Sequence, residues 1–244
     1  MKLPTRLAAP LVMFLSGNVY AYSVAPYRVH PVPSWPDVVA IGDFNGDGRK
    51  DVVIATIFQP FNSMPDDHTL FVFLQADDGS LNAPIKVTYS SPEEEGDNLV
   101  GYRTHTGIAA ADLNRDGIDD IVVGRRQGLT TVLGNRAGVF GATKIQCTTG
   151  ASSGDAIVVM DVDNDQKPDI VTHNDTSGDS RWGITVYFGD GTGGFPRQRF
   201  VDTRSDGGIV LNVGDLNSDG RKDLAISWLQ GHDSGVEIFP GDGA

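Results

Sequence analysis

Four times along the chain a short apolar run stops at a polar segment, and a second apolar run resumes after it. The first runs are residues 38–41, 108–111, 157–160 and 210–213; the second are 52–55, 121–123, 170–172 and 224–226. Runs this short, rich in Val and Ile and bounded by Asp, Asn and Gly, predict β-strands joined by tight loops, so each pair is read as a hairpin. Their near-continuous apolar character predicts sheets covered on both faces. A third strand is expected at 70–74, 129–133, 184–188 and 236–239, and a fourth at 85–89, 143–147 and 197–201. Turns such as Asp77-Asp78-Gly79 and Gly189-Asp190-Gly191 separate them.

Four short strands per unit of about fifty residues is the pattern of a β-propeller blade. The expected class is therefore all-β, a propeller of four-stranded blades in four repeats. The segments inside the hairpins repeat most closely. Asp or Asn stands at positions one, three, five and nine of each: Asp43, Asn45, Asp47, Asp51; Asp112, Asn114, Asp116, Asp120; Asp161, Asp163, Asp165, Asp169; Asp215, Asn217, Asp219, Asp223. The copies recur at intervals of 69, 49 and 54 residues.

Alternate residues of a tight loop can aim oxygens at one point, which is what a hard cation such as calcium requires. The backbone carbonyl at position seven, belonging to Arg49, Ile118, Lys167 and Arg221, can add a further oxygen. Position six is Gly48, Gly117, Gln166 and Gly220, so the third loop departs from the turn residue of the others. An EF-hand would need Glu at position twelve, where this chain has Ile54, Val123, Thr172 and Ile226. Metal-free Asx-rich turns are the alternative reading of the same residues. The expectation is up to four calcium ions, held by these twenty positions.

Composition adds an address and removes some partners. The chain has 244 residues, 19 basic against 32 acidic, for a net charge of -13. Such acidity argues against nucleic acid as a partner. Residues 1–21 begin with Lys2 and Arg6, continue with an apolar stretch and end at Val19-Tyr20-Ala21, the layout of a cleaved secretory leader. Residues 22–244 would then be the exported domain, secreted or periplasmic, with no segment long and apolar enough to span a membrane as a helix. The lone Cys147 offers no intramolecular disulfide, so calcium is the expected stabiliser.

The strand-loop-strand units Ile41-Gly42-Asp43-Phe44-Asn45-Gly46-Asp47-Gly48-Arg49-Lys50-Asp51-Val52-Val53 and Val213-Gly214-Asp215-Leu216-Asn217-Ser218-Asp219-Gly220-Arg221-Lys222-Asp223-Leu224 resemble FG-GAP or VCBS repeats. That family is known from integrin α-subunit propellers and from many exported bacterial proteins. The resemblance implies a calcium-binding propeller, and its activities range over adhesion modules, sugar-binding domains and parts of enzymes. Its propellers commonly have seven blades, where this chain has four motifs.

Repeat four stops without an outer strand, and residues 25–29, Ala-Pro-Tyr-Arg-Val, resemble Ala83-Pro84-Ile85-Lys86-Val87. These residues are expected to supply the missing strand and close the ring; half of a larger ring completed by a second copy is the rival. The chain would accordingly be a monomer or a homodimer.

All three Trp, Trp35, Trp182 and Trp228, are expected in the loops at the end of the repeats opposite the carboxylate loops, together with Phe58, Phe61, Tyr102, His68, His105, His173 and His232. Aromatic rings beside Asp and His suit stacking on a sugar or anchoring a protein, so Trp35, Trp182, Trp228, His173 and His232 are the candidate ligand contacts. The favoured function is a binding or adhesion module for a protein or glycan. The alternative is a polysaccharide hydrolase or lyase using Asp66, Asp67, Asp175, Asp179 or Asp233.

Overall fold

The structure is a computed structural model that describes residues 28–57, 67–91, 107–125, 128–146, 156–174, 183–203 and 210–241. The chain divides into two compact units, 1–32 and 33–244, and every strand lies in the second. Among the described residues fifteen strands form four antiparallel sheets, and no helix occurs. Sheet I holds β1 (Trp35–Gly42), β2 (Asp51–Ile57), β3 (Thr69–Phe73) and β4 (Ile85–Thr88) in sequence order. Sheet II holds β5 (Ile108–Ala111), β6 (Asp120–Arg125), β7 (Gly128–Val132) and β8 (Ala142–Gln146). Sheet III holds β9 (Ile157–Met160), β10 (Asp169–Asn174), β11 (Gly183–Phe188) and β12 (Arg197–Asp202). Sheet IV has three strands, β13 (Leu211–Gly214), β14 (Asp223–Gln230) and β15 (Asp233–Phe239).

The register is the same in every first hairpin. Gly42 faces Asp51, Ala111 faces Asp120, Met160 faces Asp169 and Gly214 faces Asp223, so the position-nine Asp always pairs with the residue just before the loop. A shared register carries the same side chains onto the same face in all four units. Three apolar clusters follow, one between each pair of consecutive sheets. Val53, Leu70 and Val72 of sheet I meet Ile121 and Val123 of sheet II. Val122 and Leu129 of sheet II meet Ile157 and Ile170 of sheet III. Val171, Ile184 and Val186 of sheet III meet Leu211, Leu224 and Ile226 of sheet IV. Neighbouring residues of one strand thus feed two different cores, which is why these strands show no polar alternation.

β1 packs on β5, β5 on β9 and β9 on β13. Among the described residues no comparable packing returns from β13 to β1, so the series of sheets is not closed. The strand expected at 25–29 is not found: 25–27 lie outside the described residues, and Arg28 and Val29 belong to no strand. β15 therefore stands as the last strand of sheet IV.

Candidate metal centres

Each carboxylate loop is organised by its first, fifth and ninth residues. In loop one, Asp43 accepts the N–H of Asp47 on Oδ1 at 3.1 Å and that of Gly48 on Oδ2 at 2.8 Å. Asp47 accepts the N–H of Arg49 at 2.9 Å. The same bonds recur from Asp112 and Asp116, from Asp161 and Asp165, and from Asp215 and Asp219. In loops one, two and four the position-three amide oxygen also accepts the position-five N–H, drawing Asn45, Asn114 and Asn217 inward.

Position nine does something the spacing alone did not reveal. Asp51, Asp120, Asp169 and Asp223 are all buried, and each carboxylate joins two segments of backbone. One oxygen accepts the N–H of loop position two, from Phe44, Leu113, Val162 or Leu216. The other accepts an N–H just beyond the third strand, from Gln75, Gly134, Gly189 or Gly241. A Cβ at Gly134, Gly189 or Gly241 would collide with the carbonyl of Asp119, Pro168 or Lys222. Glycine there lets the two backbones close on the carboxylate, and its recurrence after the third strand of repeats two, three and four, with Gln75 in its place in repeat one, is the signal available in the sequence. These residues act as clamps, whether or not they also touch a cation.

Burial sets the charge balance of the clamps. It pushes the carboxyls of Asp51 and Asp169 up from their ordinary value and that of Asp120 up to about 6. Asp223 is shifted down instead, held by the N–H groups of Gly241 and Leu216.

Loop three departs most from the others. Asp161, Asp163 and Asp169 each offer a carboxylate oxygen, and these oxygens lie within 4.8 Å of one another. Asp163 Oδ2 pairs with Arg197 at 2.9 Å, while its Oδ1 is buried and accepts no hydrogen bond among the described residues. Lys167 pairs with Asp165 at 2.8 Å and holds that carboxyl below the usual carboxylate range. A residue with a buried carboxylate oxygen that accepts no hydrogen bond, in a cluster of three carboxylates, fits a divalent cation bound by oxygen. Loops one, two and four replace the third carboxylate with a neutral amide oxygen, a donor of the same geometry and lower charge.

The backbone of the loops turns left-handed twice. Besides position six, position four has positive φ, at Gly46, Arg115, Asn164 and Ser218. Of these, Gly46 and Asn164 are residue types that favour the left-handed region; Arg115 and Ser218 are not.

The opposite strand ends are more dispersed. Trp35 is exposed at the start of β1, opposite Ile57. Trp228 lies within β14, not in a loop, and its indole covers Gly235 of β15. His232 is exposed in the turn that follows β14, whereas His173 is buried on β10, its imidazole pushed down to about 4 by that burial. His68, at φ 53°, is buried edge-on to Tyr89. Of the candidate acids, Asp67 accepts a hydrogen bond from Ser34 and Asp233 opens β15. Trp182, Phe58, Phe61, Tyr102, His105, Asp66, Asp175 and Asp179 lie outside the described residues.

A family model for the FG-GAP-like repeat matches residues 43–123 and 112–172, spanning three of the four loops. The chain belongs to the FG-GAP repeat family. Integrin alpha pat-2 of Caenorhabditis briggsae is 30% identical over 159 residues, 54% of this chain and 12% of that protein. A T-cell immunomodulatory protein homolog of Plasmodium falciparum is 23% identical over 215 residues, 78% of this chain and 29% of its own length. The chain thus spans less than a third of these relatives. Among solved structures, an Agrocybe aegerita lectin described as recognising non-reducing terminal N-acetylglucosamine matches at TM-score 0.50 and 19% identity. That match covers 84% of this chain and 52% of the lectin, and it speaks to the fold alone. Among the described residues no helix is long and apolar enough to cross a membrane.

Proposed function

We propose that this chain is an exported, calcium-stabilised β-propeller module that binds a protein or glycan partner. The observation that carries the metal reading is loop three, where three carboxylates converge and Asp163 Oδ1 is buried without a donor. A divalent cation there, with Arg197 beside Asp163, would balance the charge of Asp161, Asp163 and Asp169. It would also tie the loop to β10, because Asp169 clamps the start of that strand. Loops one, two and four share the bonded frame and would take the same ion with one carboxylate fewer.

Partner binding rests on the family and on exposed aromatic surface. Membership of a family that includes integrin alpha pat-2 supports a binding role, and exposed Trp35 and His232 with half-buried Trp228 offer the candidate contacts at the strand ends away from the metal loops. The leader read at residues 1–21 supports export, where calcium is abundant and a disulfide-free domain gains most from it.

The test is thermal unfolding with calcium and with excess chelator, followed by calorimetric titration of the calcium-free chain. Each site held at one hundred times its dissociation constant adds about 2.7 kcal/mol. An unchanged transition in chelator would remove the metal reading. Glycan and protein screens with Trp35→Ala and Trp228→Ala then test the partner face. Binding that survives both substitutions places the contact elsewhere.

A further inference from the structure

The two ends of the sheet series are the two halves of one more seam. In every internal seam, a sheet presents one kind of face to its successor. On the third strand that face carries Leu70 and Val72 in sheet I, Leu129 and Thr131 in sheet II, and Ile184 and Val186 in sheet III. All six are buried, none above 5% exposed. The register puts Val236 and Ile238 of β15 at the same places, opposite Ser227 and Ala225, yet they are 63% and 48% exposed. Loop position two repeats the contrast. Phe44, Leu113 and Val162 each belong to the seam with the following sheet, while Leu216 is 58% exposed.

The complementary half lies on sheet I. Each later sheet meets its predecessor with the residues two and four places before the loop: Ala110 and Ile108, Val159 and Ile157, Val213 and Leu211. In sheet I those places hold Ile41 and Val39, 63% and 61% exposed. The leading face of sheet IV and the trailing face of sheet I therefore carry seam residues with no seam.

We infer that the leading face of sheet IV docks on the trailing face of sheet I in a second copy of this chain. The occupant follows from the repeat: every seam among the described residues joins a leading face to a trailing face, and the two exposed faces they leave are one of each. Like faces have no precedent in the chain, so the contact is head-to-tail. Such contacts close into rings when the rotation permits, and two chains of four sheets give eight, within the usual range of propellers. The inference does not depend on the calcium reading, since the seam residues bind no metal.

The full chain, purified after whatever processing its host performs, is examined by analytical ultracentrifugation at micromolar concentration. The expected mass is that of two chains. Ile41→Glu and Ile238→Glu, each alone, should give monomers that unfold like the parent diluted until its chains are dissociated, because both side chains are exposed in the single chain. Mixing the two variants should restore the two-chain species, since one of its seams is then intact. A monomeric parent, a dimer that survives either substitution, or a mixture that stays monomeric overturns the inference. Open polymers or rings of more chains overturn the two-chain closure. Calcium dependence of unfolding is read separately, so failure here leaves the metal sites standing, and their failure leaves this contact standing.

Discussion

Repeats two and four carry almost the same loop, Asp112-Leu113-Asn114-Arg115-Asp116-Gly117 and Asp215-Leu216-Asn217-Ser218-Asp219-Gly220, and make the same bonds within it. Their surroundings differ. Sheet II is covered on both faces, and there Leu113 is 1% exposed and the clamp Asp120 is pushed up to about 6 by burial. Sheet IV is covered on one face, Leu216 lies in solvent, and Asp223 is shifted the other way by the N–H groups it accepts. Local spacing dictates the loop; the neighbouring sheet dictates what its charge and its apolar residue are worth.

The largest expected effect tests the clamps. Asp120→Ala leaves the N–H groups of Leu113 and Gly134 buried without an acceptor, at about 2 kcal/mol for each. Asp223→Ala frees the N–H groups of Leu216 and Gly241, which lie on a partly exposed surface where water can replace the carboxylate. Denaturant unfolding in excess chelator, which removes any effect of a lost metal ligand, should show Asp120→Ala as the costlier by at least about 2 kcal/mol. Equal costs would mean that the end sheet is as dry as the inner one.

Next comes loop position two. Leu113→Ala empties part of the seam between sheets II and III and should cost about 3 kcal/mol at any protein concentration. Leu216→Ala, measured where chains are dissociated, should stay within about 0.5 kcal/mol of the parent. At higher concentration it should weaken self-association. A core-like cost for Leu216 in the monomer would show that something in the chain itself covers sheet IV.

The seam between sheets III and IV supplies a pH test. His173 is buried there on β10, its imidazole depressed to about 4. The folded state therefore resists protonation, and stability present above the unfolded value of about 6.5 is lost as pH falls toward the folded value. Near pH 5 the loss due to this one group should be about 2 kcal/mol. In sheet IV the corresponding place is Ser227, which has no charge to take up. His173→Ser should flatten the acid limb between pH 6.5 and 4, and an unchanged limb would assign the acid sensitivity to the carboxylates.

How much of this was readable depends on which residues had to signal it. The first hairpins were legible because Asp at position nine begins the second strand in every copy, fixing both register and face. The seams were not, because strands apolar on both faces give no alternation from which to assign Val53 to one core and Val52 away from it. The clamp role of position nine was hidden by its fit to a ligand pattern, although an Asp leading straight into Val-Val or Ile-Val pointed to burial. The positive φ at Arg115 and Ser218 has no residue signature, and at Asn164 only the general tolerance of Asn for the left-handed region. Trp228 falls within a strand rather than a loop because β14 runs on to Gln230, four residues past the apolar run 224–226.

The smallest effect separates loop three from loop four. Gln166 has φ 65° where Gly220 has φ 85°, so one turn needs the left-handed region and only one of the two residues occupies it freely. A Cβ on Gly220 would meet nothing within 4 Å, as at Gly48 and Gly117, so packing does not require glycine at this place. Backbone conformation is then the only term, of about 1 kcal/mol. Gln166→Gly should stabilise the chain by that amount and Gly220→Gln should destabilise it equally, with the double exchange close to neutral. If Gln166→Gly is destabilising, the side chain of Gln166 contributes contacts that outweigh its strain. If Gly220→Gln costs much more than about 1 kcal/mol, the surface beside loop four is occupied in solution, which returns the question to what covers sheet IV.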